Sequence, residues 1–262
     1  MIGGMEWFAR SLKRKLEDRD LDKIEETLLV LIASKEKVTD VRNLSPFAKM
    51  PFKIHDLLQI GLRRNIELAE ASIRELNRQN VTTSMVLVRA VFETASLLFD
   101  SANRVVDVAK KDDVKVLDEL DKFLMDVLVG FKSKDWASSE EFVARNVLTI
   151  IQRIGKQLDI DMMWFYEGLS EHAHPNYLGM MATYRLTAEV GNPIVKYADS
   201  PNESRDASIK IAVGGLAMGL DMTKMALERH ATIANQFATL AERGIHEGGT
   251  WPTDLEYPIK RQ

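Results

Sequence analysis

Apolar residues recur along most of this chain at the spacing of a helix, and in one stretch they go right round. From Phe52 to Leu76, residues Leu58, Leu62, Ile66, Ala69, Ile73 and Leu76 keep a 3.6-residue period, while Arg63, Arg64, Glu67, Glu70 and Arg74 take the wet side. The next segment, Val81 to Lys110, contains no Gly or Pro. Its Met85, Val86, Val88, Val91, Phe92, Ala95, Leu98 and Phe99 face every direction, the pattern of a helix buried at the centre of a bundle. Only Asn77 to Asn80 separates the two segments. Helices joined so closely run antiparallel and touch.

The same reading places the remaining elements. Glu6 to Glu17 is a short amphipathic basic helix, of a kind that can lie on a membrane or a partner but is expected here to pack on its own domain, and Asp20 caps a second helix from Leu21 to Lys35. Val38 to Pro51 is a connecting loop and Asp113 to Val129 a weaker helix. After a loop from Gly130 to Ala137, Ser138 or Ser139 with Glu140 and Glu141 starts a helix running to Leu158. Its expected buried face is Phe142, Val143, Val147, Ile150, Ile151 and Ile154. Residues 161–173 are helical and end ahead of Pro175. From Met181 to Tyr197 the period changes to alternation, which predicts a small extended or hairpin insertion near 181–198. Arg205 to Arg243 is the last long helix. Gly214, Gly215 and Gly219 in its middle admit a close neighbour, the central helix being one candidate, or form a hinge.

The expected fold class is therefore all-α, an up-and-down bundle of six to seven main helices with that insertion. We expect one domain over 1–262: a helical appendage at 1–45, a bundle core at 52–243 and an irregular tail at 244–262, anchored by Trp251 and Tyr257.

Composition narrows the function classes. At 45% hydrophobic and 28% charged residues there is ample material for a core. A net charge of −4 predicts no global basic field. The absence of Cys removes disulfides, thiolate metal sites and thiol nucleophiles. The start of the chain lacks an apolar signal region, and the longest apolar runs, Leu28–Ala33 and Ile211–Leu220, are well short of a membrane span. These features predict a soluble, cytoplasmic protein without a membrane partner.

The candidate chemistry sits in two places. On the central helix Arg89, Glu93, Ser96 and Asp100 follow at offsets of four, three and four, so they share one face. Charges in so apolar a helix need partners. They are either an Arg–Glu pair bonding a neighbouring helix or one wall of a polar pocket. Downstream, Tyr166, Ser170 and His174 stack on one face if the helix reaches His174, whereas His172 points elsewhere. A phenol, a hydroxyl and an imidazole in line can grip a phosphate, a carboxylate or a base edge. A histidine capping the helix end is the plainer alternative. Metal chemistry has one E-x-x-H, Glu171 to His174, where di-metal bundles use two. No G-x-S-x-G and no glycine-rich phosphate loop occur. Neither a metal nor a cofactor is expected.

The stretches RAVFETASLLFD (Arg89–Asp100) and YEGLSEHAHPN (Tyr166–Asn176) together resemble the DUF5677-type bacterial proteins, with their R-x3-E helix and later Y-x2-LS-x3-H signature. Those are distantly similar to the HEPN superfamily of helical nucleotide-binding and RNA-processing domains. The resemblance spans roughly Phe52 to Ser200 and rests on these two motifs. It implies a HEPN-like bundle that binds nucleotide or RNA, with Glu93, Tyr166, Ser170 and Asn176 as binding residues. The alternatives are a metal-independent phosphodiesterase or ribonuclease using His174 and Arg89 as catalytic residues, and a helical module for oligomerisation. The chain departs from HEPN ribonucleases in lacking their compact Arg-x4–6-His motif, so Arg89 and His174 would have to rebuild that pair across helices. HEPN-like domains often pair through long helices. That habit, with the small residues and methionines of Arg205–Arg243, predicts a homodimer.

Overall fold

The computed structural model describes residues 7–13, 16, 18–131, 143–175, 180, 184–188, 195–199 and 202–246. In chain order they form α1 (Arg10–Lys13), α2 (Asp18–Ala33), α3 (Met50–Asn77), α4 (Val81–Lys111), α5 (Leu117–Val129), α6 (Val147–Leu158), α7 (Met162–Ala173), β1 (Tyr184–Ala188), β2 (Val195–Asp199) and α8 (Asn202–His246). Short 3-10 turns precede α3 and α5. The fold is an all-α bundle. Since α1 has only four residues, seven main helices remain among those described. The predicted insertion is an antiparallel hairpin, pairing Tyr184 with Asp199, Leu186 with Tyr197 and Ala188 with Val195.

The chain divides into two compact units, through both of which α3, α4 and α8 pass. The first comprises Met1–Lys35, Gly61–Leu97 and Val147–Lys224. Here α3 and α4 run antiparallel: the Ser72 and Ser84 hydroxyls meet at 2.7 Å, and Arg64 Nε donates to Thr94 Oγ1. Val88, Val91, Phe92 and Ala95 of α4 are completely buried, each large side chain contributing roughly 2 kcal/mol of hydrophobic stabilisation. Against them lies α8, close enough that a Cβ at Gly219 would stand 2.8 Å from Val91 Cγ1, and one at Gly215 2.9 Å from Val88 Cγ1. The glycines thus admit the central helix. The second unit comprises Glu36–Ile60, Leu98–Asn146 and Met225–Gln262. Its core includes Phe99, Phe123, Leu124 and Phe237. By length and composition α4 is the one described helix able to cross a membrane, and half of that stretch is buried inside the fold.

Two expected elements differ. The first helix starts at Arg10 rather than Glu6, because the N–H groups of residues 7–9 are drawn to side chains elsewhere. Trp7 and Phe8 donate to Glu25 Oε1 and Ala9 to Asn77 Oδ1. The helix expected from Ser138 begins at Val147 instead. Residues 143–146 are not helical, with Val143 bridged to Phe131 and 62% exposed rather than buried. The cause is buried Asp126, whose Oδ1 accepts from the Val143 N–H and whose Oδ2 pairs with Arg145 at 2.6 Å. Of the expected face, Ile150, Ile151 and Ile154 are buried. The last helix runs on to His246. Ser138 to Phe142, Trp251 and Tyr257 lie outside the described residues.

Candidate functional site

α4 supplies Arg89 and Glu93 one turn apart, and their four-residue spacing lets Arg89 Nε donate to Glu93 Oε1 at 3.0 Å. α7 supplies the third member. Its Asp161 accepts from the Trp164 N–H and so caps the helix start, and one turn later Tyr166 faces α4. The Tyr166 hydroxyl accepts from Arg89 Nη2 at 2.8 Å and donates to Glu93 Oε1 at 3.0 Å. The three polar groups close a ring, with the guanidinium carbon 5.1 Å from the centre of the phenol.

Exposure distinguishes the members. Tyr166 is 7% exposed, whereas the Arg89 and Glu93 side chains are 26% and 32% exposed. Partial burial works against the Arg89 charge, but its bonds to Tyr166 and Glu93 prevail and hold its pKa above the ordinary value. The bonded edge of the guanidinium is Nε with Nη2. Its other edge, Nη1 with the second Nη2 proton, has no partner among the described residues. Arginine carries five donors, of which two are used here. What remains is an oriented, partly wet hydrogen-bonding edge.

Of the residues singled out in the sequence, the structure thus brings together Arg89, Glu93 and Tyr166. Ser170 lies one turn further along α7; its Oγ is buried and no described residue bonds it. His174 stands apart: α7 stops at Ala173, and His174 is extended at φ −88°, ψ 148°, exposed, its N–H donating to Ser170 O. Pro175 next to it accounts for that backbone. No described residue bonds its ring. Asn176 lies outside the described residues. On α4 the same face continues into Ser96 and Asp100, both buried; Ser96 bonds the Phe92 carbonyl and Asp100 accepts from Arg104 Nε.

The histidine that the sequence set aside is the engaged one. His172 is buried, with Nδ1 2.8 Å from Gly168 O and Nε2 3.1 Å from Ser208 Oγ on α8. A carbonyl only accepts, so Nδ1 carries the proton and Nε2 accepts from the Ser208 hydroxyl. This is a staple between α7 and α8. The signal was present, since Met162, Tyr166, Leu169 and His172 are spaced four, three and three, the buried face of α7.

Among the described residues no three His, Asp or Glu side chains gather where they could hold a metal ion. The chain matches no protein-family model, no curated protein and no solved structure, so its function is argued from this geometry.

Proposed function

We propose that the Arg89–Glu93–Tyr166 seam is a contact for phosphate, through which the bundle binds a nucleotide or RNA. The observation that carries this is the guanidinium of Arg89, held by Glu93 and Tyr166 along one edge while its outer edge meets solvent. An end-on arginine edge matches two phosphate oxygens. Holding it in place lowers the entropy lost on binding. Glu93 offsets the charge of Arg89, so the free edge acts through oriented donors rather than net charge. The resemblance to nucleotide-binding HEPN-like domains supports the same ligand class, and the buried Ser170 hydroxyl lies one turn from the ring.

The test is fluorescence anisotropy of a short labelled oligoribonucleotide of mixed sequence, titrated at several salt concentrations. Wild type should bind with salt-dependent affinity. Arg89→Ala should weaken binding about tenfold and reduce the salt slope by about one. Arg89→Lys cannot reproduce the two-bond geometry and should recover little. Absence of RNA and mononucleotide binding, or full binding by Arg89→Ala, would overturn the proposal. Cleavage in the same assay, lost in His174→Ala, would replace it with the nuclease reading. Pairing of two copies belongs to the same proposal and draws support from the resemblance alone, because Gly215 and Gly219 are taken up against Val88 and Val91 of the same chain. Light scattering separates the mass of one chain from that of two.

A further inference from the structure

The Arg89–Glu93–Tyr166 ring leaves two polar groups unused, and they differ in kind. The outer edge of the Arg89 guanidinium only donates, and Glu93 Oε2 only accepts. Glu93 Oε1 takes the Arg89 Nε–H and the Tyr166 hydroxyl, both at 3.0 Å, while no described residue bonds Oε2. The Glu93 side chain is 32% exposed, so water reaches it as it reaches Arg89. The Tyr166 hydroxyl is not a third such group. That residue is buried, its oxygen accepts from Arg89 and its proton goes to Glu93. A ligand of this seam therefore meets donors and an acceptor in one place and has to satisfy both.

Given the phosphate contact proposed above, on which this rests, we propose that Glu93 makes the seam select ribose over deoxyribose. Its Oε2 accepts from the 2′-hydroxyl of the nucleotide whose 3′-phosphate Arg89 holds.

The reason is the mismatch that a phosphate alone would meet. A phosphodiester offers Arg89 only acceptors, and the carboxylate of Glu93 is an acceptor as well. Two anions in one half-buried site repel, and covering Oε2 without a donor costs the desolvation of an unpaired charged group. The carboxylate is a rigid group, so Oε2 stays next to the atom that binds Arg89 Nε, and a ligand on the far edge of that guanidinium lies in its neighbourhood. In a nucleic-acid backbone the 2′-hydroxyl is the group that donates, and its carbon adjoins the one bearing the 3′-phosphate. Ribose thus supplies the missing donor beside the phosphate, and deoxyribose supplies none. Base edges also donate, but they do not change with the sugar.

Fluorescence anisotropy on the full chain tests this with labelled single strands of one sequence, at one salt concentration. The strands are RNA, DNA, and RNA with fluorine in place of every 2′-hydroxyl. Fluorine keeps the ribose pucker and is no larger than a hydroxyl, but it cannot donate. Wild type should bind RNA roughly tenfold to a hundredfold more tightly than the other two, the effect of one hydrogen bond to a charged group. Glu93→Gln keeps an oxygen for Arg89 and Tyr166 and puts an NH2 group where Oε2 was. That group donates to phosphate or ring oxygens, so DNA and the fluoro strand should gain and the preference for RNA should largely vanish. Equal binding of RNA and fluoro RNA by wild type overturns the inference, as does a full RNA preference in Glu93→Gln. In either case, binding that is lost in Arg89→Ala leaves the phosphate contact standing, whereas no binding of any strand overturns both. Should Glu93→Gln fail to fold, the wild-type comparison of RNA with fluoro RNA decides.

Discussion

Two glycines a little over one turn apart on α8 should respond to the same substitution with opposite signs. Replacing Gly by Ala inside a helix gains about 1 kcal/mol of propensity. At Gly214 nothing opposes that gain, since the new Cβ would meet Phe165 Cε1 at 3.5 Å, an ordinary contact. Gly214→Ala should therefore stabilise the protein by about 1 kcal/mol. At Gly219 the Cβ would stand 2.8 Å from Val91 Cγ1, with Phe92 N and Val91 C of the α4 backbone at 3.6 Å. Val91 is fully buried and β-branched, so its χ1 has one good well in a helix and cannot turn away. The helices must part by some tenths of an ångström, and overpacking of this kind costs about 1–3 kcal/mol. With Val91 unable to give way the cost exceeds the propensity gain, and Gly219→Ala should lose up to about 2 kcal/mol net.

Thermal and urea unfolding followed by circular dichroism read both changes, at about 2–4 °C per kcal/mol for a chain of this size. A double-mutant cycle tests the cause: Gly219→Ala with Val91→Ala should lose at least about 1 kcal/mol less than the two single losses summed, because the smaller side chain makes room. A Gly219→Ala protein as stable as wild type would show that α4 and α8 are not in the close contact described. A Gly214→Ala protein as damaged as Gly219→Ala would show that helix register, rather than the Val91 contact, governs the site.

Tyr166→Phe removes the hydroxyl shared by Arg89 and Glu93 but keeps the ring, so it should cost about 1 kcal/mol in urea unfolding; a loss beyond about 3 kcal/mol would mean the hydroxyl supports more than this seam. Asp126→Ala leaves Arg145 and the Val143 N–H without their shared acceptor, and a loss of about 1–3 kcal/mol is expected in the same assay. If it unfolds like wild type, Asp126 does not hold the 143–146 segment in place. Thr223→Val strands the fully buried Asn65 amide, which donates to Thr223 Oγ1 at 2.8 Å, at a cost of about 1–3 kcal/mol. An unchanged melting temperature would indicate that the amide finds another partner.

Where local pattern decides structure, the sequence was legible. The central helix, expected over Val81–Lys110, spans Val81–Lys111, and the partner expected from Phe52 begins only two residues earlier, at Met50. Both are long, apolar on the periodic positions, and separated by a turn in which Gln79 takes a φ of 65°. The failures share one physical cause. Glu140 and Glu141 make a plausible first turn, yet residues 143–146 are not helical, because an aspartate on α5 captures a backbone N–H and an arginine there. Glu25 and Asn77 curtail the first helix in the same way. Side chains distant in sequence outcompeted local propensity, and no window of neighbouring residues contains that information.

The candidate site shows the same division between what periodicity settles and what the surroundings settle. Spacing alone put Arg89, Glu93, Ser96 and Asp100 on one face of α4, and they are there. Spacing could not say what covers that face. Around Arg89 the cover includes the Tyr166 phenol and leaves the side chain 26% exposed; at Asp100, 2% exposed, the cover is complete, and the polar seam becomes an ion pair with Arg104. On α7 the four-residue spacing was not enough: the His174 N–H still completes the helical bond to Ser170 O, yet its ring is exposed with no bond to a described residue, and His172, two residues earlier on the buried face, serves as the structural histidine. A contact site must keep donors in reach of water. By that criterion the seam narrows to Arg89, the one member whose partners orient it without consuming it.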